Sequence, residues 1–291
     1  MNIPVNMEIR PHPRIELDKG EIHIGDAEDI LRNMPEASVQ CIVTSPPYWG
    51  LRDYDSSAQI GAEPGLKEYI DRLVAVFREC RRVLRSDGVM WLNIGDGYTS
   101  GGRKSRAPDR KNPKREMSGR PSVPPGLKPK DLLGLPWRVA FALQDDGWYL
   151  RSDVIWNKPN AMPESVKDRP VRSHEYVFML TKGEKYFYDR DRVREDNGRQ
   201  CRSVWNVCTR PSRSGHPAPF PEDLISPCIL SSSRKGDIVL DPFFGSGTVG
   251  VLCQKTERHF LGIELNESYA IAASNRISDA SSLIAGKPLD I

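Results

Sequence analysis

"DIVLDPFFGSGTVGVLCQKTERHFLGIEL", residues 237–265, holds the pattern on which the reading of the whole chain turns. An apolar run, "IVL", ends at Asp241. Three glycines follow, Gly245, Gly247 and Gly250, and they open a stretch with helical apolar spacing. A second apolar run, "FLGIEL", carries Glu264 near its end. Strand, glycine turn, helix and strand in that order make a βαβ unit. Such units build mostly parallel sheets covered by helices on both faces.

The glycine spacing matches G-x-G-x-x-G, a fingerprint that is weak alone. No lysine stands where a phosphate-cradling loop needs one, which argues against an NTPase of that type. Charge argues against a dinucleotide. Asp241 ends its strand beside the place a pyrophosphate would occupy, and a carboxylate there repels a diphosphate but suits a cation. S-adenosylmethionine carries a sulfonium and an ammonium group. Glu264 stands at the spacing where an acid accepts hydrogen bonds from ribose hydroxyls. S-adenosylmethionine is therefore the expected cofactor. The blander alternative is a glycine turn that serves only helix–sheet packing.

Upstream, the run "SVQCIV" leads into "TSPPYWG", residues 44–50. Prolines lack the N–H that a sheet ladder needs, so the strand ends there. Ser45, Pro46, Pro47 and Tyr48 are left at its C-terminal edge, in a rigid shape, where open α/β sheets bind ligands. The rest of the chain alternates in the same way. "EIHIGD" is a strand ending at Asp26, which can cap the helix "AEDILRNM". "LKEYIDRLVAVFRECRRVL" is a strongly periodic helix, and "GVMWLNIGD" the next strand. "PWRVAFALQDDG" is a helix stopped at Gly147. "WYLRSDVIWNKP" and "EYVFMLTKGEKYFYD" are strand-like, and a turn at Lys182 and Gly183 suggests a hairpin. "REDNGRQCRSVWNVCTRPSRSGHPAPFP" is irregular and basic. "PEDLISPCILSSS" begins a helix.

A chain of 291 residues fits one α/β domain, residues 1–291, better than two independent ones. No stretch approaches the roughly 20 apolar residues of a membrane span. The N-terminus lacks the apolar core of a signal peptide, so the expected location is cytoplasmic. The six cysteines form no C-x-x-C pair and the histidines show no ligand spacing, which reads as buried thiols and no metal. A net charge of +3 does not by itself call for a nucleic acid. Its distribution says more. Residues 101–131 are crowded with Arg, Lys, Gly and Pro and cannot form a core. The segment is either a solvated loop or a mobile basic insertion that tracks phosphates through Arg103, Lys104, Arg106, Lys111, Lys114 and Arg115.

The pairing of "TSPPYW" with "DPFFGSGTVG" resembles the amino-methylating DNA methyltransferases, which modify exocyclic amines of DNA bases. The catalytic tetrapeptide precedes the cofactor loop, as in the beta-type permuted order of that family. "DAEDILRNMPEASVQCIVTSPPY", "LRSDVIWNKPNAMPES", "HEYVFMLTK", "GHPAPFPEDL" and "FLGIELNESY" look like family blocks in that order, so the resemblance covers most of the chain. The details are most similar to enzymes of phages and prophages. The resemblance implies a seven-stranded, mostly parallel sheet with one antiparallel strand. It implies a catalytic role for Ser45, Pro46, Pro47 and Tyr48. It places Asp241, Phe243, Gly245 and Gly247, with Ser246 and Thr248 in the same turn, around the methionine part of S-adenosylmethionine. Glu264 then holds the ribose, Asp26 lies near the adenine amine, and Phe220 helps wall the site.

The chemistry explains the tetrapeptide. An exocyclic amine is a poor nucleophile because its lone pair is delocalised into the ring. Acceptors at Ser45 Oγ and the Pro46 carbonyl would each take one N–H and localise the lone pair, and the proline that follows fixes the Pro46 carbonyl. A base must leave the duplex to reach this pocket, where Tyr48 would stack on it and Trp49 add a second apolar wall, the alternative for both rings being ordinary core packing. Ser at the first position points to cytosine N4, with adenine N6 as the alternative. Further alternatives are an RNA or protein amine methyltransferase and a catalytically idle DNA-binding protein. The expected partner is double-stranded DNA. Target reading falls to the short variable region, residues 189–215, with or without the basic insertion. A homodimer is left open, and a restriction endonuclease would be a separate chain.

Overall fold

The computed structural model describes residues 12–50, 59–99, 121–195, 198–210 and 220–285. Among them nine strands form one sheet: β1 (Arg14–Leu17), β2 (Gly20–Ile24), β3 (Val39–Thr44), β4 (Leu84–Ile94), β5 (Tyr149–Asn157), β6 (His174–Thr181), β7 (Val204–Asn206), β8 (Ile238–Asp241) and β9 (His259–Glu264). Six helices accompany them: α1 (Ala27–Arg32), α2 (Leu66–Val83), α3 (Leu135–Asp145), α4 (Glu222–Ser232), α5 (Thr248–Thr256) and α6 (Glu267–Ala285). The strand order is β1-β2-β9-β8-β3-β4-β6-β5-β7.

The inner seven strands, β2 to β5 across the sheet, run parallel except β6, which is antiparallel to both its neighbours. They are the expected seven-stranded sheet. The expectation is corrected at both edges, where β1 pairs antiparallel with β2 and β7 pairs parallel with β5. These two strands have only four and three residues. Such short segments carry too few alternations to stand out as period-2 patterns.

Strand alternation sends side chains to two separate layers. Ile42, Met90, Phe178, Leu240 and Leu261 face a core closed by α1, α2 and α3. Cys41, Val89, Trp91, Val239 and Phe260 face a core closed by α4, α5 and α6. In α2 the buried set is Leu66, Tyr69, Leu73, Val76, Phe77, Cys80 and Val83, one stripe at three- and four-residue spacing. The crossover β3–α2–β4 thus lies on one face of the sheet and β8–α5–β9 on the other. Adjacent β3 and β8 therefore diverge at their C-terminal ends and leave a crevice there.

The hairpin expected at Lys182 and Gly183 does not form. The turn is present, with Thr181 Oγ1 donating to the Gly183 carbonyl at 2.8 Å. No strand follows it, because β4 and β5 already occupy both edges of β6. The chain crosses instead to other elements, with Phe187 N donating to Asp87 O at 2.8 Å and Asp189 N to Ser231 O at 2.7 Å. The stretch 194–221, expected to be irregular, holds β7 among its described residues. The six basic residues singled out between 103 and 115 lie outside the described residues. Among the described residues no helix is long and apolar enough to cross a membrane.

Candidate active site

The crevice is walled by the C-terminal ends of β2, β3, β8 and β9. Asp26, Ser45, Pro47, Phe243, Gly245 and Glu264 are on its wall. So are Gln59, Asn266 and Tyr269, which the sequence reading did not single out. No lysine or arginine is among the described residues that line it, whereas two carboxylates are. A diphosphate would find no counter-charge here. A cation carrying hydroxyl groups suits this wall, and S-adenosylmethionine is such a ligand.

Each carboxylate is held by backbone N–H groups. Asp26 Oδ1 accepts from Glu28 N and Asp29 N at 2.9 and 3.2 Å, the cap of α1. Glu264 Oε2 accepts from Gly245 N at 2.8 Å and Oε1 from Asn266 N at 2.9 Å. The glycine turn and the end of β9 are locked together in this way. A carboxylate oxygen has a second lone pair, so both Glu264 oxygens keep capacity for ligand hydroxyls. Burial pushes the Glu264 carboxyl above its ordinary value.

Asp241 sits deeper. It is 1% exposed and does not line the crevice. Its Oδ1 accepts from Thr44 Oγ1 at 2.6 Å and from Phe243 N at 3.1 Å, so it ties the end of β3 to the turn after β8. Burial pushes its carboxyl up to about 7, against the pull of those two hydrogen bonds.

The rest of the glycine turn is built for packing. Gly247 caps α5 at φ +73°, a left-handed conformation that favours glycine. A Cβ on Gly250 would lie 2.6 Å from Ile277 Cδ1, so the third glycine lets α5 and α6 approach. Ser246 and Thr248 were expected at the cofactor. The structure pairs them instead with Arg276, whose Nη1 donates to Ser246 O at 3.0 Å and Thr248 Oγ1 at 3.1 Å, and they are not on the crevice wall. Phe220, also expected there, packs against the core beneath α4 and α5.

The tetrapeptide loop is anchored from outside. Tyr69 Oη donates to the Pro47 carbonyl at 2.8 Å, and Gly50 N to the Gly61 carbonyl at 2.8 Å. Trp49 is buried, with Nε1 donating to Glu63 O at 2.9 Å, and belongs to the core rather than to the crevice wall. Beside the loop lies a polar cluster that the sequence reading missed. Asn93 Nδ2 is 3.3 Å from Ser45 Oγ, 3.2 Å from Tyr48 Oη and 3.0 Å from Glu175 Oε2. Tyr48 Oη donates to Glu175 Oε2 at 2.9 Å, and Glu175 Oε1 is ion-paired with Lys158. Burial, reinforced by the Glu175 charge, holds the Tyr48 phenol well above its usual range.

The family model described as DNA methylase, N6_N4_Mtase, matches residues 39–275. The type II methyltransferase M.Cfr9I of Citrobacter freundii is 62% identical over 267 residues, 90% of this chain and 89% of its own length. The type II methyltransferase M.XycI of Xanthomonas campestris pv. cyanopsidis is 60% identical over 278 residues, 94% and 92% of the two chains. Among solved structures, the cytosine-N4-specific PvuII DNA methyltransferase shares the fold, with a TM-score of 0.68 at 21% identity over 93% of this chain and 94% of that one. A DNA modification methylase of Thermus thermophilus, TTHA0409, solved with S-adenosyl-L-methionine, gives a TM-score of 0.63 at 26% identity over 89% and 95%. The family match spans both the tetrapeptide loop and the glycine turn. The chain belongs to the amino-methylating N6/N4 DNA methylase family and is, like its type II relatives, a site-specific DNA methyltransferase.

Proposed function

We propose that this methyltransferase modifies N4 of a cytosine flipped out of duplex DNA. The cofactor is S-adenosylmethionine, which supplies an electrophilic methyl group on a sulfonium. The observation that carries the base assignment is Ser45: a neutral hydroxyl on the crevice wall, with the Asn93 amide at 3.3 Å. Its Oγ and the Pro46 carbonyl accept the two N–H groups of the amine and turn its lone pair toward the cofactor. Orientation of this kind is the main catalytic resource of the site. The Tyr48 ring, tethered through Glu175, provides the stacking face for the base. Glu264 takes the ribose hydroxyls, Asp26 lies toward the adenine amine, and Phe243 and Gly245 border the methionine part. Asp241 acts from behind the wall through its charge.

The deciding experiment is digestion of duplex DNA methylated by the pure enzyme, followed by chromatography of the nucleosides. N4-methyldeoxycytidine is the expected product. N6-methyldeoxyadenosine would replace the base assignment by its alternative. Transfer to RNA or protein in place of DNA would overturn the substrate reading. A restriction endonuclease sharing the same site would be a separate chain.

The basic insertion is the second part of this reading. Changing Arg103, Lys104, Arg106, Lys111, Lys114 and Arg115 to Gln should weaken DNA binding. It should also flatten the salt dependence, by about 0.9 log unit for each phosphate no longer neutralised. S-adenosylmethionine affinity should stay the same. Fluorescence anisotropy across a salt series checks this, and a slope equal to wild type would return the segment to a solvated loop.

A further inference from the structure

A flipped base is seated only as firmly as the surface on which it stacks. The Tyr48 ring is the proposed surface, and a tyrosine side chain left to itself turns about its χ1 and χ2 bonds. Tyr48 is half-buried, so part of its ring stays open to a ligand. The geometry points to Glu175 as a positioning residue for the target base: with Lys158 and Asn93 it fixes the Tyr48 ring in the stacking orientation before DNA arrives. This inference rests on the reading of Tyr48 as the stacking face.

Four adjacent strands converge on this one side chain. Tyr48 follows β3, Asn93 lies in β4, Glu175 lies in β6, and Lys158 follows β5. The residue is fastened at both ends. At the backbone, Tyr69 Oη donates to the Pro47 carbonyl at 2.8 Å. At the tip, Tyr48 Oη donates to Glu175 Oε2 at 2.9 Å, and Asn93 Nδ2 lies 3.2 Å from that hydroxyl and 3.0 Å from that carboxylate oxygen. Gly95, just past β4, closes the edge of the ring. A Cβ there would lie 3.0 Å from Tyr48 Cε2 and 3.2 Å from Glu175 Cδ, so a glycine at this strand end lets the backbone press against both.

The carboxylate is fixed in turn. Glu175 Oε1 is ion-paired with Lys158, whose Nζ lies 4.1 Å from the centre of the Trp156 ring. Glu175 and Lys158 are each only 17% exposed, so salt and water screen their attraction little. Glu175 thus gives one oxygen to the ammonium and the other to the phenol and the amide. A neutral side chain cannot divide itself in this way. Gln has a single oxygen, and turning it to Lys158 presents N–H groups to Tyr48 and Asn93, so the Tyr48 hydroxyl loses its acceptor. Holding the ring in advance spares the complex the cost of ordering it on binding. Flipping precedes methyl transfer, so the fraction of target bases seated on the ring multiplies the observed transfer rate.

Glu175→Gln and Tyr48→Phe test this in single-turnover methyl transfer, each rate read against wild type on the same duplex. One duplex pairs the mapped target base normally, and the other sets it opposite an abasic site. On the paired duplex both variants should be slower by about 5- to 100-fold, the weight of stacking one base. An unpaired base costs least to extrude, so on the abasic duplex the deficit should shrink to about 3-fold or less. The double variant should be no slower than the slower single one, because both loosen the same ring. Calorimetric S-adenosylmethionine affinity should match wild type. Ser45→Ala, which acts on the base once seated, should keep its deficit on both duplexes. A wild-type rate in Glu175→Gln overturns the inference. So does a deficit that is equal on the two duplexes, since damage to the fold or to the chemistry does not respond to the base opposite. If Glu175→Gln loses fold or cofactor binding, Tyr48→Phe decides by the same two criteria. Tyr48→Ala separates the two levels. Full turnover there defeats the stacking reading itself, whereas a slow Tyr48→Ala enzyme beside a wild-type rate in Glu175→Gln defeats only the positioning.

Discussion

Ser45→Ala should bind S-adenosylmethionine and DNA as wild type does and transfer methyl groups about 10- to 1000-fold more slowly. The range follows from removing one positioned hydrogen bond worth roughly 1.5–4 kcal/mol in the transition state. The loop itself should survive the change, because its anchors are elsewhere: Tyr69 on the Pro47 carbonyl, Gly61 on Gly50, and Trp49 on Glu63. Asn93 loses one acceptor but keeps Tyr48 and Glu175 within reach. The loss therefore belongs to chemistry and not to folding. Rapid-quench transfer of labelled methyl under single-turnover conditions, with calorimetry on the same preparation, separates the two. Full turnover would mean that the Pro46 carbonyl orients the amine alone. A covalent adduct on Ser45 in the wild-type enzyme would overturn its role as a hydrogen-bonding group.

The parts of this site that sequence displays are those carried by parallel strands. In "IVLDPFFGSG" and "SVQCIVTSPPY" the apolar run and the functional loop are adjacent in the chain, so reading one gives the other. Glu175 and Lys158 belong to the same edge of the sheet but arrive by a different route. Lys158 follows the C-terminal end of β5, while Glu175 stands at the start of β6, the one antiparallel strand of the inner seven. The start of a reversed strand meets the ends of its neighbours. A hairpin read from "EYVFMLTKGEKYFYD" gives no sheet edge for Glu175. Asn93 was visible as a polar residue within the apolar run of "GVMWLNIGD", but only strand order places it beside Ser45. Asp241 shows the converse limit. Its position at a strand end suggested direct contact with a cation, and burial is a property that a single sequence does not display. The turn it closes is tight enough to draw the side chain onto Thr44 and the Phe243 amide.

That burial makes Asp241 a pH-dependent element of cofactor binding. Its carboxyl, ordinarily near 3.8, is raised to about 7 chiefly by desolvation, with the Glu264 charge adding to the rise. A carboxyl raised in the folded state stabilises the fold when protonated. The contribution is fully present below about pH 4 and is lost as the pH climbs toward about 7. Cofactor binding runs the other way, because a sulfonium and an ammonium group favour the charged form. Affinity for S-adenosylmethionine should rise between about pH 5.5 and about pH 8, while the ligand-free protein becomes easier to melt. Asp241→Asn removes the charge and keeps an oxygen for Thr44 and the Phe243 amide. It should lower the affinity at about pH 8 by roughly 10- to 100-fold, the loss of a charge-assisted interaction of roughly 1.5–3 kcal/mol. It should flatten the pH dependence of both affinity and stability, and its ligand-free melting temperature at that pH should not fall below that of wild type. Glu264→Ala serves as the contrast. It loses the ribose acceptor and strands the Gly245 and Asn266 amides, so affinity and melting temperature should both drop while the Asp241 pH dependence persists. Calorimetry and thermal melts at the two pH values decide the matter. An Asp241→Asn protein that binds the cofactor as tightly as wild type at about pH 8 would show that this carboxylate only fastens the turn to β3.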